Sequence, residues 1–278
     1  MRRRASSGWD GREVIAVAGI PMHAAVLGPA SAPEVVCVHG LGCSHRYFLP
    51  LARRLAPASR VVAVDLPGFG RTPGPREPLD VRGLSLALAG WLRATGRGGA
   101  PLVANSVGCQ VVVDLAAHSP ELAGPMALIG PTMDAGARSA WRQGVRLAAN
   151  TVLERPLLVP VLARDYLVCG PRRYFATLAA ALADPVEDKL GLVRVPAVVV
   201  RGARDLIVSR SWARRVAALL PRGELAEVPG AAHTLNYSAP AGVVRALRSS
   251  ALAGVIPAAG ASPVTGPGVR LGGTGVRR

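Results

Sequence analysis

One serine, one aspartate and one histidine stand in this chain just past segments that read as buried strands, and together they could run nucleophilic acyl transfer. Ser106 lies in Leu102-Val103-Ala104-Asn105-Ser106-Val107-Gly108. Strand-favouring residues run straight into the serine, and small residues (Ala104, Gly108) sit two positions to either side. An apolar run of helical length follows to about His118. A strand, tight turn and helix with serine at the apex lifts one hydroxyl above the end of a sheet. The turn strains the backbone, so the neighbours two away must be small. A serine hydroxyl is a weak nucleophile by itself and needs a base and an acid that orients the base. Both follow along the chain. Asp205 comes after Pro196-Ala197-Val198-Val199-Val200-Arg201-Gly202, and His233 after Leu225-Ala226-Glu227-Val228-Pro229-Gly230. His233 would take the proton of Ser106 and hand it to the leaving group. Asp205 would hold the imidazole in the required tautomer and stabilise its charged form.

The elements that must position these residues alternate in type. Glu13–Ala18 and Met22–Leu27 read as a hairpin about Gly19-Ile20-Pro21. Val35–His39, Val61–Asp65, Pro101–Asn105, Met126–Gly130, Val195–Arg201 and Leu225–Val228 read as strands. Helices are expected over Tyr47–Leu55, from an Asp80 cap to about Thr95, over Ser211–Leu220 and from Ala241 to about Leu252. In the second of these Leu84, Leu88, Trp91 and Leu92 share a face. Alternation of this kind predicts one α/β domain with a mostly parallel sheet, whose sites lie beyond the carboxyl ends of the strands. Residues 131–189 differ: helical segments are broken by Pro156, Pro160 and Gly170-Pro171, with no clear strand. Residues 1–12 read as a basic tail, 13–252 as the domain, and 253–278 as a disordered Gly/Pro/Arg tail.

Several stretches in series resemble the α/β-hydrolase family of serine hydrolases, over roughly Glu13 to Leu252. Val35-Val36-Cys37-Val38-His39-Gly40-Leu41-Gly42 is similar to that family's strand and His-Gly loop. Val61-Val62-Ala63-Val64-Asp65-Leu66-Pro67-Gly68-Phe69-Gly70 is similar to its Asp-x-Pro-Gly-x-Gly loop. Gly230-Ala231-Ala232-His233 matches its histidine loop. The resemblance implies the α/β-hydrolase fold, with helices on both faces of the sheet and a small helical cap over about 131–189. It implies an oxyanion hole made of two backbone N–H groups. One belongs to Val107 at the start of the helix after the nucleophile, the other to Leu41. It also leaves a second position for the acid, Asp134, although Asp205 has the better local context. Asp65 and Asp114 read as structural, and His39 as a brace for its loop. The chain departs from the Gly-x-Ser-x-Gly pattern at Ala104, where a methyl group still permits a close turn.

A serine nucleophile disfavours epoxide opening and dehalogenation, for which relatives use aspartate. The expected reaction is hydrolysis of an ester, thioester or lactone of a small to medium apolar substrate through an acyl-enzyme. Two alternatives stand beside it. One is carbon–carbon hydrolysis of aromatic ring-fission products, although Thr234-Leu235-Asn236-Tyr237 lacks the tryptophan those relatives place after the histidine. The other is a binding protein on this fold with little turnover.

The net charge of +16 invites a nucleic-acid partner. Yet Lys189 is the only lysine, and the arginines are scattered apart from Arg2-Arg3-Arg4 and the extreme carboxyl end. With abundant alanine, glycine, proline and valine and few aromatics, this composition fits a GC-rich coding bias rather than phosphate recognition. No nucleic-acid partner is expected. Cys37, Cys43, Cys109 and Cys169 lack metal-ligand spacing, and half the residues are hydrophobic, enough for a core without disulfides. Cys43 reads as a loop residue near the pocket. His23, His45 and His118 have no partner in sequence, so neither a metal site nor a cofactor is expected. Arg2 to Arg4 resemble the charged start of a signal peptide, but polar and charged residues follow where an apolar core should be. No run is long and apolar enough to span a membrane, and the expected location is cytoplasmic.

Overall fold

Valine-rich runs supply the centre of the sheet, because β-branched residues fit a pleated surface covered on both faces. The computed structural model of the chain describes residues 8–134 and 139–257. Its strands are β1 (Gly11–Val17), β2 (Ile20–Leu27), β3 (Glu34–Val38), β4 (Arg60–Val64), β5 (Leu102–Asn105), β6 (Met126–Ile129), β7 (Ala197–Gly202) and β8 (Gly223–Val228). They form one sheet in the order β1-β2-β4-β3-β5-β6-β7-β8. β2 runs antiparallel to β1 and β4, and every other pairing is parallel. The order reverses at β3, which has β4 on one side and β5 on the other. Such a switch point opens a crevice beyond the carboxyl ends of the two central strands.

Alternate side chains divide the core into two layers. Val36, Val38, Leu102, Ala104 and Leu128 face α2 (Val81–Thr95), α3 (Val107–His118) and α8 (Arg210–Leu219). Val35, Cys37, Val103, Ile129 and Val198 face α1 (Leu49–Leu55) and α10 (Pro240–Arg248). The Asp80 carboxylate accepts the Gly83 N–H and caps α2 at its expected start. Between β6 and β7 the chain forms α4 (Ala140–Thr151), α5 (Leu158–Cys169), α6 (Pro171–Ala183) and α7 (Val186–Leu190). The four-residue α9 (Leu235–Ser238) follows β8. This is the α/β hydrolase fold, with the helical segment where the sequence reading puts its cap.

The described structure reaches further at both ends than the expected domain bounds of 13 and 252. β1 begins at Gly11, Trp9 is buried, and the Asp10 carboxylate accepts the Gly28 N–H. Residues 8–12 therefore belong to the sheet edge, while 1–7 lie outside the described residues. At the other end Leu252 and Ile256 are buried and the Pro257 carbonyl accepts the Ser59 hydroxyl. The remainder of the expected tail, 258–278, lies outside the described residues, as do 135–138 of the expected cap. The hairpin turn is tighter than expected: Ala18 and Gly19 both have positive φ, the geometry of a two-residue turn matched to strand twist. Among the described residues no helix is long and apolar enough to cross a membrane.

Candidate active site

Ser106 closes β5 and precedes α3 with φ +56° and ψ −126°, a region that a residue with a side chain enters only when its surroundings impose it. The close packing is explicit. A Cβ on Gly108 would lie 2.6 Å from the carbonyl oxygens of Val38 and His39, and one on Gly40 would lie 3.0 Å from Ser106 Cβ. Glycine at these positions lets the loop after β3 and the first turn of α3 press together around the serine. Ala104 is fully buried and keeps its place in the ladder with Val38 and Leu128. Its methyl group leaves the turn intact.

His233 and Asp205 meet as the sequence order suggested. The His233 Nδ1–H donates to Asp205 Oδ2 at 2.9 Å, and both residues are buried. Asp205 Oδ1 accepts the N–H groups of Ile207 (2.8 Å) and Val208 (2.9 Å). Arg201 braces the same loop through the carbonyls of Asp205 and Val208. Asp134 sits elsewhere: its carboxylate accepts the Ser209 hydroxyl at 2.9 Å. Burial opposes charge on His233, but the Asp205 carboxylate and then Glu154 outweigh it and hold the imidazole above the usual histidine value. Burial likewise opposes ionisation of Asp205; His233 and the two backbone N–H groups overcome it and hold the carboxyl below its ordinary range. Gly130, at φ +54°, gives the pair room, since a Cβ there would lie 2.9 Å from the imidazole.

Ser106, His233, Leu41 and Val107 line one cavity of about 220 Å³. His233 Nε2 is buried and has no hydrogen-bond partner among the described residues. The N–H groups of Leu41 and Val107 likewise meet no acceptor there. The rest of the wall is largely apolar and comes from α4 to α6, with Leu147, Leu158, Leu162, Tyr166, Tyr174 and Leu178. Cys43 joins it, but burial, reinforced by Asp165, pushes its thiol well up, so it offers no thiolate. His39 donates from Nδ1 to the Gly40 carbonyl and accepts the Leu66 N–H at Nε2. Burial keeps it neutral despite nearby Asp65. It braces its loop.

Two polar clusters around the site had no sequence signal. The Tyr47 hydroxyl accepts the Gly40 N–H at 2.7 Å and donates to Asn105 Oδ1 at 3.0 Å, while Asn105 Nδ2 reaches the Ile129 carbonyl. This chain of bonds ties the His-Gly loop to the turn that carries Ser106. The second cluster gathers His23, His45 and Asp65, with possible ligand atoms within 4.8 Å of one another. Two histidines and a carboxylate are a donor set that could hold a metal ion. In this structure the Asp65 oxygens are taken instead by both Nδ1–H groups and by the N–H groups of His45 and Arg71.

Burial opposes charge on Asp65, and the hydrogen bonds from His23 and His45 overcome it, holding the carboxyl well below its usual range. Its folded value is depressed, so this stabilisation is present above the ordinary value of 3.8 and lost on acidification. Asp65→Ala is expected to cost about 3 kcal/mol at neutral pH, read as a lower urea midpoint at unchanged slope.

Known proteins resemble this chain in sequence and in architecture. The family model described as the alpha/beta hydrolase family matches residues 35–246. A pimeloyl-[acyl-carrier protein] methyl ester esterase from Chromobacterium violaceum is 29% identical over 241 residues, covering 77% of this chain and 92% of that protein. The dihydrolipoyllysine-residue acetyltransferase component of the acetoin cleaving system of Pseudomonas putida is 28% identical over 77% of this chain. The matched region spans 62% of that protein's length. Among solved structures, the enol-lactonase from Burkholderia xenovorans LB400 superposes with a TM-score of 0.73 at 22% identity, covering 84% of this chain and 99% of that one. With most of the chain matched, and the strand order, strained serine turn and buried His–Asp pair in hand, the protein is a member of the alpha/beta hydrolase family.

Proposed function

We propose that the protein is a serine hydrolase that cleaves a carboxylic ester, thioester or lactone of a small to medium apolar substrate, with Ser106 as nucleophile, His233 as base and Asp205 as acid. One observation carries this reading: a buried imidazole, bonded at Nδ1 to a carboxylate, keeps Nε2 unpartnered beside the cavity that Ser106 lines. In the first half-reaction Nε2 takes the Ser106 proton as Oγ attacks the acyl carbon. The N–H groups of Leu41 and Val107 donate to the resulting oxyanion, which collapses and expels the alkoxide or thiolate, protonated by the imidazolium. Water then repeats the sequence on the acyl-enzyme and releases the acid. The apolar wall from α4 to α6 suits an acyl chain and excludes water from the reacting centre. The name of the esterase relative is consistent with this substrate class.

A fluorophosphonate probe should label Ser106 in the folded chain, and short and medium p-nitrophenyl esters should turn over. Folded protein that resists the probe and spares every ester would count against the reading. The pH dependence has a definite sign. His233 must be neutral to accept the proton, and its value lies above the ordinary 6.5. The rise of kcat/KM with pH is therefore expected to centre above 6.5, as rate measurements across pH 5–9 will read.

A further inference from the structure

Between Ser139 and Ala183 the chain carries six arginines but only two acidic residues, Glu154 and Asp165. Both acids reach into loops of the core rather than the arginine-rich outer surface. Asp165 accepts the Ser44 hydroxyl at 2.6 Å and an Arg46 N–H at 2.8 Å, just past the loop that bears Leu41. Glu154, in the turn between α4 and α5, reaches the loop that bears His233. Its Oε1 accepts the Thr234 N–H at 2.6 Å, and its Oε2 accepts the Ser238 hydroxyl. Asn150, buried on α4, donates from Nδ2 to Glu154 Oε1 at 3.1 Å and accepts the Leu206 N–H at Oδ1 at 3.4 Å. Thr234 follows His233 directly and Leu206 follows Asp205 directly.

We infer that Glu154 is a positioning residue that acts through His233, and that with Asn150 it braces the histidine loop against the aspartate loop from outside the sheet. A backbone N–H bond to the residue next to the imidazole fixes the ring's reach. The strap to Leu206 fixes the partner carboxylate at the same time. Among the described residues, the charged side chains that act on His233 are Asp205, from the loop after β7, and Glu154, from the helical segment. The Glu154 charge therefore favours the imidazolium that the reaction must form, at a point where Asp205 alone would carry it. Glu154 also lines the cavity, so a bound substrate would screen it from solvent and strengthen this effect.

The kinetic arm of the test rests on the ester-hydrolase reading; a second arm does not. The histidine ring nitrogens of the ¹⁵N-labelled full chain are titrated by NMR, with the His233 signals assigned by their loss in His233→Gln. Wild type, Glu154→Gln, Glu154→Ala and Asn150→Ala are compared by titration, by thermal midpoint and by kcat/KM against pH with a p-nitrophenyl ester. Glu154→Gln keeps an acceptor for Thr234 and removes the charge. Its His233 midpoint and the acid limb of its rate profile should both move to lower pH, with the plateau rate within about tenfold of wild type. Glu154→Ala removes the brace as well and should lower plateau kcat by about a hundredfold, with KM changing less. Asn150→Ala should lower kcat without moving the His233 midpoint. A folded Glu154→Gln variant whose His233 titrates as in wild type would overturn the inference, as would Glu154→Ala with an unchanged plateau rate. If the wild type neither labels nor turns over, the hydrolase reading fails, and the titration still decides whether Glu154 acts on His233.

Discussion

Ser106→Ala is expected to lower kcat/KM for p-nitrophenyl esters by about three orders of magnitude or more, with the fold unchanged. The substitution removes one oxygen from a side chain at the cavity wall and leaves the backbone at φ +56°. No packing is lost, so the thermal midpoint should stay within a degree or two of wild type, about 0.5 kcal/mol. A stronger check is non-additivity. If Ser106 and His233 act as one unit, His233→Ala should cost about as much as Ser106→Ala, and the double variant little more than either. Residual hydrolysis above the water rate would then come from the oxyanion donors and the apolar cavity, which neither change touches. Additive losses would mean that serine and histidine serve separate tasks. Ser106→Gly gives an independent reading of the strain. Glycine enters positive φ without a Cβ penalty, so that variant should be inactive yet at least as stable as Ser106→Ala.

The strands and the two loops that bear acid and base could be read from local pattern. Val35–Val38, Val61–Val64 and Ala197–Val200 are buried on both faces and lie in interior strands of the mainly parallel sheet, so each appears as a continuous apolar run. The small residues around Ser106 answer a contact within the turn itself and the backbone next to it, so their spacing is visible in one heptapeptide. The Asp80 cap and the Leu84, Leu88, Trp91, Leu92 face are equally local.

What stayed hidden depends on strand order. Tyr47 meets Asn105 across 58 positions only because β3 and β5 are neighbours at the switch point. His23 meets Asp65 because β2 pairs antiparallel with β4, a pairing that carries no signal in either segment. Glu154 meets Thr234 across 80 positions, from a segment whose helices are amphipathic without marking which polar residue turns inward. Trp9 lay in a stretch with a tail's composition, yet its buried ring, edge-on to His45 at 6.0 Å, adds to the backbone bonds of Asp10 and the β1–β2 ladder in holding this stretch against the sheet edge. A tryptophan near a basic terminus is a cue for such packing, since burial of its indole offsets part of the cost of ordering the residues around it and the backbone bonds supply the rest.

Asp205→Asn is expected to lower kcat by about four orders of magnitude, and Asp134→Asn by less than about tenfold. The reason lies in the other oxygen of Asp205. Oδ1 receives the N–H groups of Ile207 and Val208, so that position must remain an acceptor. An asparagine would therefore keep its carbonyl there and turn its NH₂ toward His233 Nδ1. A donor facing Nδ1 forces the proton onto Nε2, the atom that must be bare to accept from Ser106. The fold and the hydrogen-bond count survive, but the tautomer is wrong, and raising the pH does not restore it. Asp134 has no such leverage, because its carboxylate bonds to Ser209 at the start of α8 and not to the imidazole. Steady-state rates of the two variants on one ester, with circular dichroism to confirm the fold, discriminate between the two positions for the acid. Near-equal losses would remove Asp205 from the mechanism, and with it the arrangement on which the proposed chemistry depends.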